Sequence, residues 1–186
     1  MWHRLLGGGN GDARIDEAIA PSVGLLVLRL VAGPAMLLHG APKMLQPTTW
    51  MGPEGPPAAL QALAAMAEFG GGLAWTLGAF TSLASLGILA TMLTGIAIAH
   101  LPAGDPLLRL TVKGVAEGPS GSFAGLPRWF VQTDGAIQGG SGSGELALLF
   151  SAIAVLLLCA GPGRYALDRA WRDRMRRART PSPAST

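Results

Sequence analysis

Pro21–Ala41 reads PSVGLLVLRLVAGPAMLLHGA, and that stretch decides the fold. A helix needs about 20 apolar residues to cross a hydrocarbon core roughly 30 Å thick, and this run supplies them. Only Arg29 and His39 interrupt it. Three further apolar stretches follow, at 58–80, 82–101 and 145–160. Their few ionisable residues fall at matching depths: Lys43 just past the first, Glu68 within the second, His100 ending the third and Glu145 opening the fourth. Charge in hydrocarbon is costly, so such groups turn toward protein or a polar cavity.

Composition agrees with this reading. The chain is 49% hydrophobic and only 13% charged, with a mean hydropathy of +0.40, which excludes an ordinary soluble domain. The expected fold is all-α, an integral membrane four-helix bundle, with 21–163 as the membrane domain. Residues 1–20 form an N-terminal segment, and 164–186 a basic, partly disordered tail. The N-terminal approach carries Asp12, Asp16 and Glu17, unlike a cleaved signal peptide, so the first span is retained. Nine Lys and Arg lie in the two terminal segments, against four in the two outer loops. Basic residues favour the cytoplasmic side, so both termini are expected there, in a multi-pass protein of a bacterial inner membrane.

The net charge of +3 comes largely from arginines between Arg164 and Arg179. Directly after a span, that run reads as a topology signal and a contact for membrane lipids, not for nucleic acid. Cys159 is the single cysteine, which leaves no disulfide, and a small buried apolar role is expected for it. No phosphate loop, nucleotide fingerprint, haem motif or metal-ligand spacing is present.

The connections carry their own signals. Phe80-Thr81-Ser82 is short enough to force spans two and three into an antiparallel hairpin, with Thr81 and Ser82 as natural N-caps. The loop after Pro42 is rich in proline and glycine, and Trp50 within it suits the head-group layer. The long outer loop, 102–144, alternates at Leu108–Lys113 and again carries apolar residues at Arg128–Gln132. That pattern admits a short β-hairpin, while Gly139–Gly144 reads as disordered. Small residues Gly70, Ala74 and Gly78, with Gly71 and Gly72 beside them, mark a helix-contact face, as do Thr91 and Gly95. Pro34 is expected to bend the first span.

Helix geometry turns the ionisable residues into a place. At 100° per residue, Arg29, His39 and Lys43 share an arc of about 80°. Arg29 lies about 12 Å and Glu68 about 18 Å from the cytoplasmic side, which makes an Arg29–Glu68 pair plausible. His100 and Glu145 sit level with His39 and Lys43. Together they could line a pocket opening outward, suited to proton handling beside a carbonyl or quinol oxygen.

The residues occur in a recognisable order. Leu28-Arg29-Leu30 precedes His39-Gly40 and Lys43, then Ala67-Glu68 with Gly70-Gly71, and Leu77-Gly78 with Phe80-Thr81. Glu145-Leu146-Ala147-Leu148-Leu149 opens the last span, and Gly161-Pro162-Gly163-Arg164-Tyr165 with Leu167-Asp168 follows it. Over about residues 22–170 this resembles the DoxX family of small four-span membrane proteins, related to the membrane subunit of a thiosulfate:quinone oxidoreductase. The long 102–144 loop departs from typical members. The resemblance implies a link to quinone reduction, thiol redox homeostasis or oxidative-stress tolerance. The leading expectation is a redox-associated subunit of a quinone-dependent oxidoreductase. His39 and Glu68 would transfer protons, while Arg29, Lys43, His100 and Glu145 bind the quinone. A partner subunit would supply electrons, and association into a homo-oligomer stays open. The rival readings are a non-catalytic scaffold or assembly factor, and a small-solute or proton pathway.

Overall fold

The computed structural model describes residues 10–110, 131–133 and 144–179. It is helical apart from two three-residue strands. In chain order the elements are α1 (Asn10–Leu45), α2 (Ala58–Leu77), α3 (Thr81–Gly95), a π-helical turn (Ile96–His100), a short α4 (Leu101–Ala103), β1 (Leu108–Leu110), β2 (Val131–Thr133), α5 (Glu145–Ala160) and α6 (Leu167–Arg179). The chain divides into two compact units, residues 1–85 with 157–186, and residues 86–156.

Two helical segments are long and apolar enough to cross a membrane, Ile19–Leu45 and Thr81–Ala103. α5 is apolar but shorter. α2 has 20 residues, enough length to span, but its composition is tempered by Gln61, Glu68 and three consecutive glycines. Most of the large side chains on these helices are exposed, among them Val31, Leu38, Leu63 and Leu83. Exposed leucines in such numbers suit a lipid solvent, where burying them between helices gains little.

In the first unit, α1 and α2 pack side by side in opposite directions. Glycines set their close approach. A Cβ on Gly33 would lie 2.7 Å from the Thr76 amide nitrogen, and one on Gly72 would lie 2.7 Å from the Gly33 carbonyl oxygen. A Cβ on Gly40 would meet Glu68 and Phe69. The contact face is therefore Gly33, Gly40 and Gly72. Gly70 and Gly95, both named as contact positions from their spacing, have open space around them. The small-residue rule holds for Gly72, which meets α1, and for Gly78, which meets Arg29, but not for Gly70. Thr91 returns its hydroxyl to its own helix, on the Gly87 and Ile88 carbonyls.

α1 is longer than the expected span, starting at Asn10 and running through Pro21, Pro34 and Pro42. α2 ends three residues earlier than expected, at Leu77, because Gly78 turns left-handed at φ 66°. Phe80 follows with φ 49°, an uncommon conformation for a residue with a Cβ. The cap of α3 also differs. The Asp168 carboxylate accepts from Phe80 N at 2.7 Å and Thr81 N at 2.9 Å, so a residue 87 positions away caps the helix. The Thr81 hydroxyl is buried and makes no hydrogen bond among the described residues. A carboxylate at a helix N-terminus satisfies orphan amides and meets the positive end of the dipole. Cys159 is exposed, not buried, on the lipid-compatible surface of α5.

In the second unit, α3 continues into the π turn, and β1 pairs with β2 in parallel, Leu108 opposite Val131 and Leu110 opposite Thr133. The expected hairpin would be antiparallel. Parallel strands need a crossover of a dozen or more residues, and residues 111–130 provide that length. Gly139–Ser143 and the tail after Arg179, both expected to be disordered, lie outside the described residues.

Candidate functional site

Two buried charges mark the α1–α2 pair, at opposite ends. Near the α2 N-terminal half, Lys43 of α1 reaches across to Glu68. Its Nζ lies 2.7 Å from Oε1 and 2.6 Å from Oε2. Gly40 makes this possible by letting the α1 backbone sit against Glu68 and Phe69. The His39 Nε2 is 3.9 Å from the second carboxylate oxygen. Access is graded across the three. Glu68 is 3% exposed by side chain, Lys43 15% and His39 40%. A buried carboxylate thus lies beside one imidazole that reaches the surface.

The α1–α2 loop closes over this end. The Trp50 ring lies 4.4 Å from the Lys43 ammonium, a cation–π contact worth about 0.5–2 kcal/mol according to its desolvation. Gln61 anchors the loop. Its side-chain carbonyl accepts from Met51 N, its amide donates to the Pro56 carbonyl, and its own backbone carbonyl accepts from Trp50 Nε1. Trp50 was legible only as an interfacial ring, and Gln61 was not singled out. An open cavity of about 460 Å³ lies beside them, lined by the loop from Thr48 to Ala58 and by Gln61.

At the other end stands Arg29, 1% exposed. It does not pair with Glu68. Its guanidinium donates to the Tyr165 carbonyl at 2.6 Å and the Trp75 carbonyl at 3.4 Å. Ten helical residues, about 15 Å, separate it from His39. The antiparallel register explains the mismatch. Gly33 faces Gly72 and Thr76, so Arg29 falls beyond them at the C-terminal end of α2, and Glu68 falls opposite Lys43. Gly78 receives the guanidinium where any Cβ would collide with it.

His100 and Glu145 belong to the second unit. His100 closes the π turn, and its Nδ1 lies 3.0 Å from Asp105 Oδ2, five residues on. The Asp105 amide donates back to the His100 carbonyl at 2.9 Å. Asp105 had not been singled out, although a His with an Asp just past a Gly turn is a readable local pair. Glu145 occupies the first turn of α5. Of the six ionisable positions, the structure therefore joins His39, Lys43 and Glu68. It places Arg29 in a separate lock. Among the described residues no cluster of His, Cys, Asp and Glu could hold a metal ion.

Comparison with known proteins adds one match. Residues 24–101 fit the family model described as DoxX. The match takes in Arg29, His39, Lys43, Glu68 and His100, and stops short of α5 and α6, unlike the wider resemblance over 22–170. No curated protein and no solved structure matches the chain.

Proposed function

We propose, for a membrane protein whose residues 24–101 belong to the DoxX family, a quinone-linked redox role at the His39–Lys43–Glu68 cluster. The single observation behind this reading is the sealed Glu68 carboxylate beside a half-exposed imidazole. A quinone taken to quinol receives two electrons and two protons, and this chain carries no electron-carrier motif. A partner subunit is therefore the electron source in this proposal. His39 takes up a proton from the exposed side and passes it to a quinone oxygen, once for each of the two protons, while the Glu68 carboxylate holds the imidazolium between transfers. Lys43 supplies positive charge where the oxygen becomes negative. His100 and Glu145 remain proposed ligand contacts. Arg29 is assigned a structural part.

Around this site we infer a four-helix bundle of α1, α2, α3 and α5, multi-pass in a bacterial inner membrane, with both termini cytoplasmic. Three residues between α2 and α3, and the bias of Lys and Arg toward the terminal segments, support it. The cluster then lies at the outer side.

The test is purification with native lipids, extraction of bound quinone, and quinone reduction in membranes carrying His39→Ala or Glu68→Ala. Bound quinone, with reduction lost in both variants, is the expected outcome. Its absence, with reduction unchanged, overturns the proposal. One observation favours the scaffold reading instead: Lys43 already reaches both oxygens of Glu68, as a purely structural clamp would. That reading predicts lower protein level and thermal stability in the same variants, with unchanged activity per surviving molecule.

A further inference from the structure

α6 presents a feature that the quinone reading does not use. At 100° per residue, Leu167, Ala170, Trp171, Met175 and Ala178 fall within an arc of about 140°. The three large members are exposed, Leu167 by 54%, Trp171 by 65% and Met175 by 49%. Six arginines and two aspartates occupy the helix, a net charge of +4, and all but Arg174 lie outside that arc. Arg174 sits within it, where a long side chain can lie along apolar surface and lift its charge into water.

The helix is also held in place. The Asp168 carboxylate caps α3, and the Asp168 amide donates to the Gly78 carbonyl at 2.9 Å. Arg29 fastens the preceding turn through Tyr165. α6 therefore begins at the α2–α3 corner, where apolar helices end, with Phe80 and Tyr165 exposed beside it. Aromatic rings at such a level belong to the interfacial layer of a bilayer.

We propose that α6 is a surface-lying membrane helix, seated in the head-group layer of an anionic leaflet. Leu167, Trp171 and Met175 enter the acyl boundary while the arginines meet lipid phosphates. An amphipathic helix rich in basic residues, with Trp and Leu on its other face, has the composition that binds there. Charge complementarity and attachment to spanning helices select lipid over the other occupants. A second copy would bring arginine-flanked faces together, and nucleic acid offers nothing to the Leu–Trp–Met stripe.

The test uses the full-length protein in nanodiscs of phosphatidylcholine alone or with phosphatidylglycerol. Hydrogen exchange is followed at the α6 amides, together with a spin label at position 171 (Trp171→Cys in a Cys159→Ser background). Anionic nanodiscs should slow exchange over residues 170–178 and place the label within reach of oxygen but not of a nickel chelate. The triple variant R174Q/R176Q/R177Q should lose that protection by about fivefold per arginine removed. Exchange outside α6 monitors folding and should not change. Protection indifferent to lipid charge, or a label open to the chelate in anionic nanodiscs, overturns the proposal. So does protection that appears only on adding RNA or on raising protein concentration.

Discussion

The two ends of the α1–α2 pair bury charge in different ways. At one end the Arg29 guanidinium donates to main-chain carbonyls, those of Trp75 and Tyr165, which cannot titrate, with the Asp168 carboxylate near enough to act on its charge. At the other, Glu68 is met by side chains, Lys43 closely and His39 more loosely, with the imidazole reaching the surface. Backbone partners make a lock, and side-chain partners leave the ionisable cluster on which the proposed function rests. Depth alone had suggested that Arg29 and Glu68 would share one site.

Substitutions can break or sharpen that contrast. Arg29→Met should have the largest effect on stability, about 4 kcal/mol, since it removes the guanidinium bonds to the Trp75 and Tyr165 carbonyls and unfastens the turn before α6. Thermal unfolding in detergent measures it, and quinone reduction per folded molecule should stay normal. Glu68→Ala should cost about 3 kcal/mol by leaving Lys43 without its partner, and should abolish quinone reduction as well. If Arg29→Met removes activity per folded molecule as fully as Glu68→Ala does, the division into lock and site is wrong.

Gly72→Ala should cost about 2 kcal/mol, because its Cβ runs into the Leu37 backbone and forces the helices apart. It strains both ends together, so stability and activity should fall in step. Gly70→Ala, on the open side of α2, should be neutral within about 0.5 kcal/mol in the same unfolding assay. Trp50→Leu should have a smaller effect, about 1 kcal/mol, from the lost cation–π contact and the hydrogen bond to Gln61. Its activity change, read as a shift in the pH profile of quinone reduction, would place Trp50 with the exchanging end.

Much of this was legible in the residues. The apolar runs, the grouping of His39, Lys43 and Glu68, and the tight α2–α3 connection follow from composition and helix length. Of the family resemblance over about residues 22–170, the DoxX family model matches residues 24–101. What was hidden depended on register. Nothing in the spacing of Gly33, Gly40 and Gly72 tells that these three, and not Gly70, bring the two helix backbones together. Without that register, Arg29 and Glu68 look close. Partners distant in sequence were equally out of reach. Tyr165 contributes only a carbonyl to Arg29, which no side-chain pattern encodes. Asp168 could not be read as a cap for Thr81 while Thr81 itself looked like the better one.

That cap has a consequence for biogenesis. Until the ribosome has delivered residue 168, the opening amides of α3 have no carboxylate to meet, and the strained Phe80 has nothing to hold it. α6 therefore fastens the α2–α3 corner only once it has been made, and chains stopped at Gly163 should carry a loose hairpin that membrane proteases clear quickly.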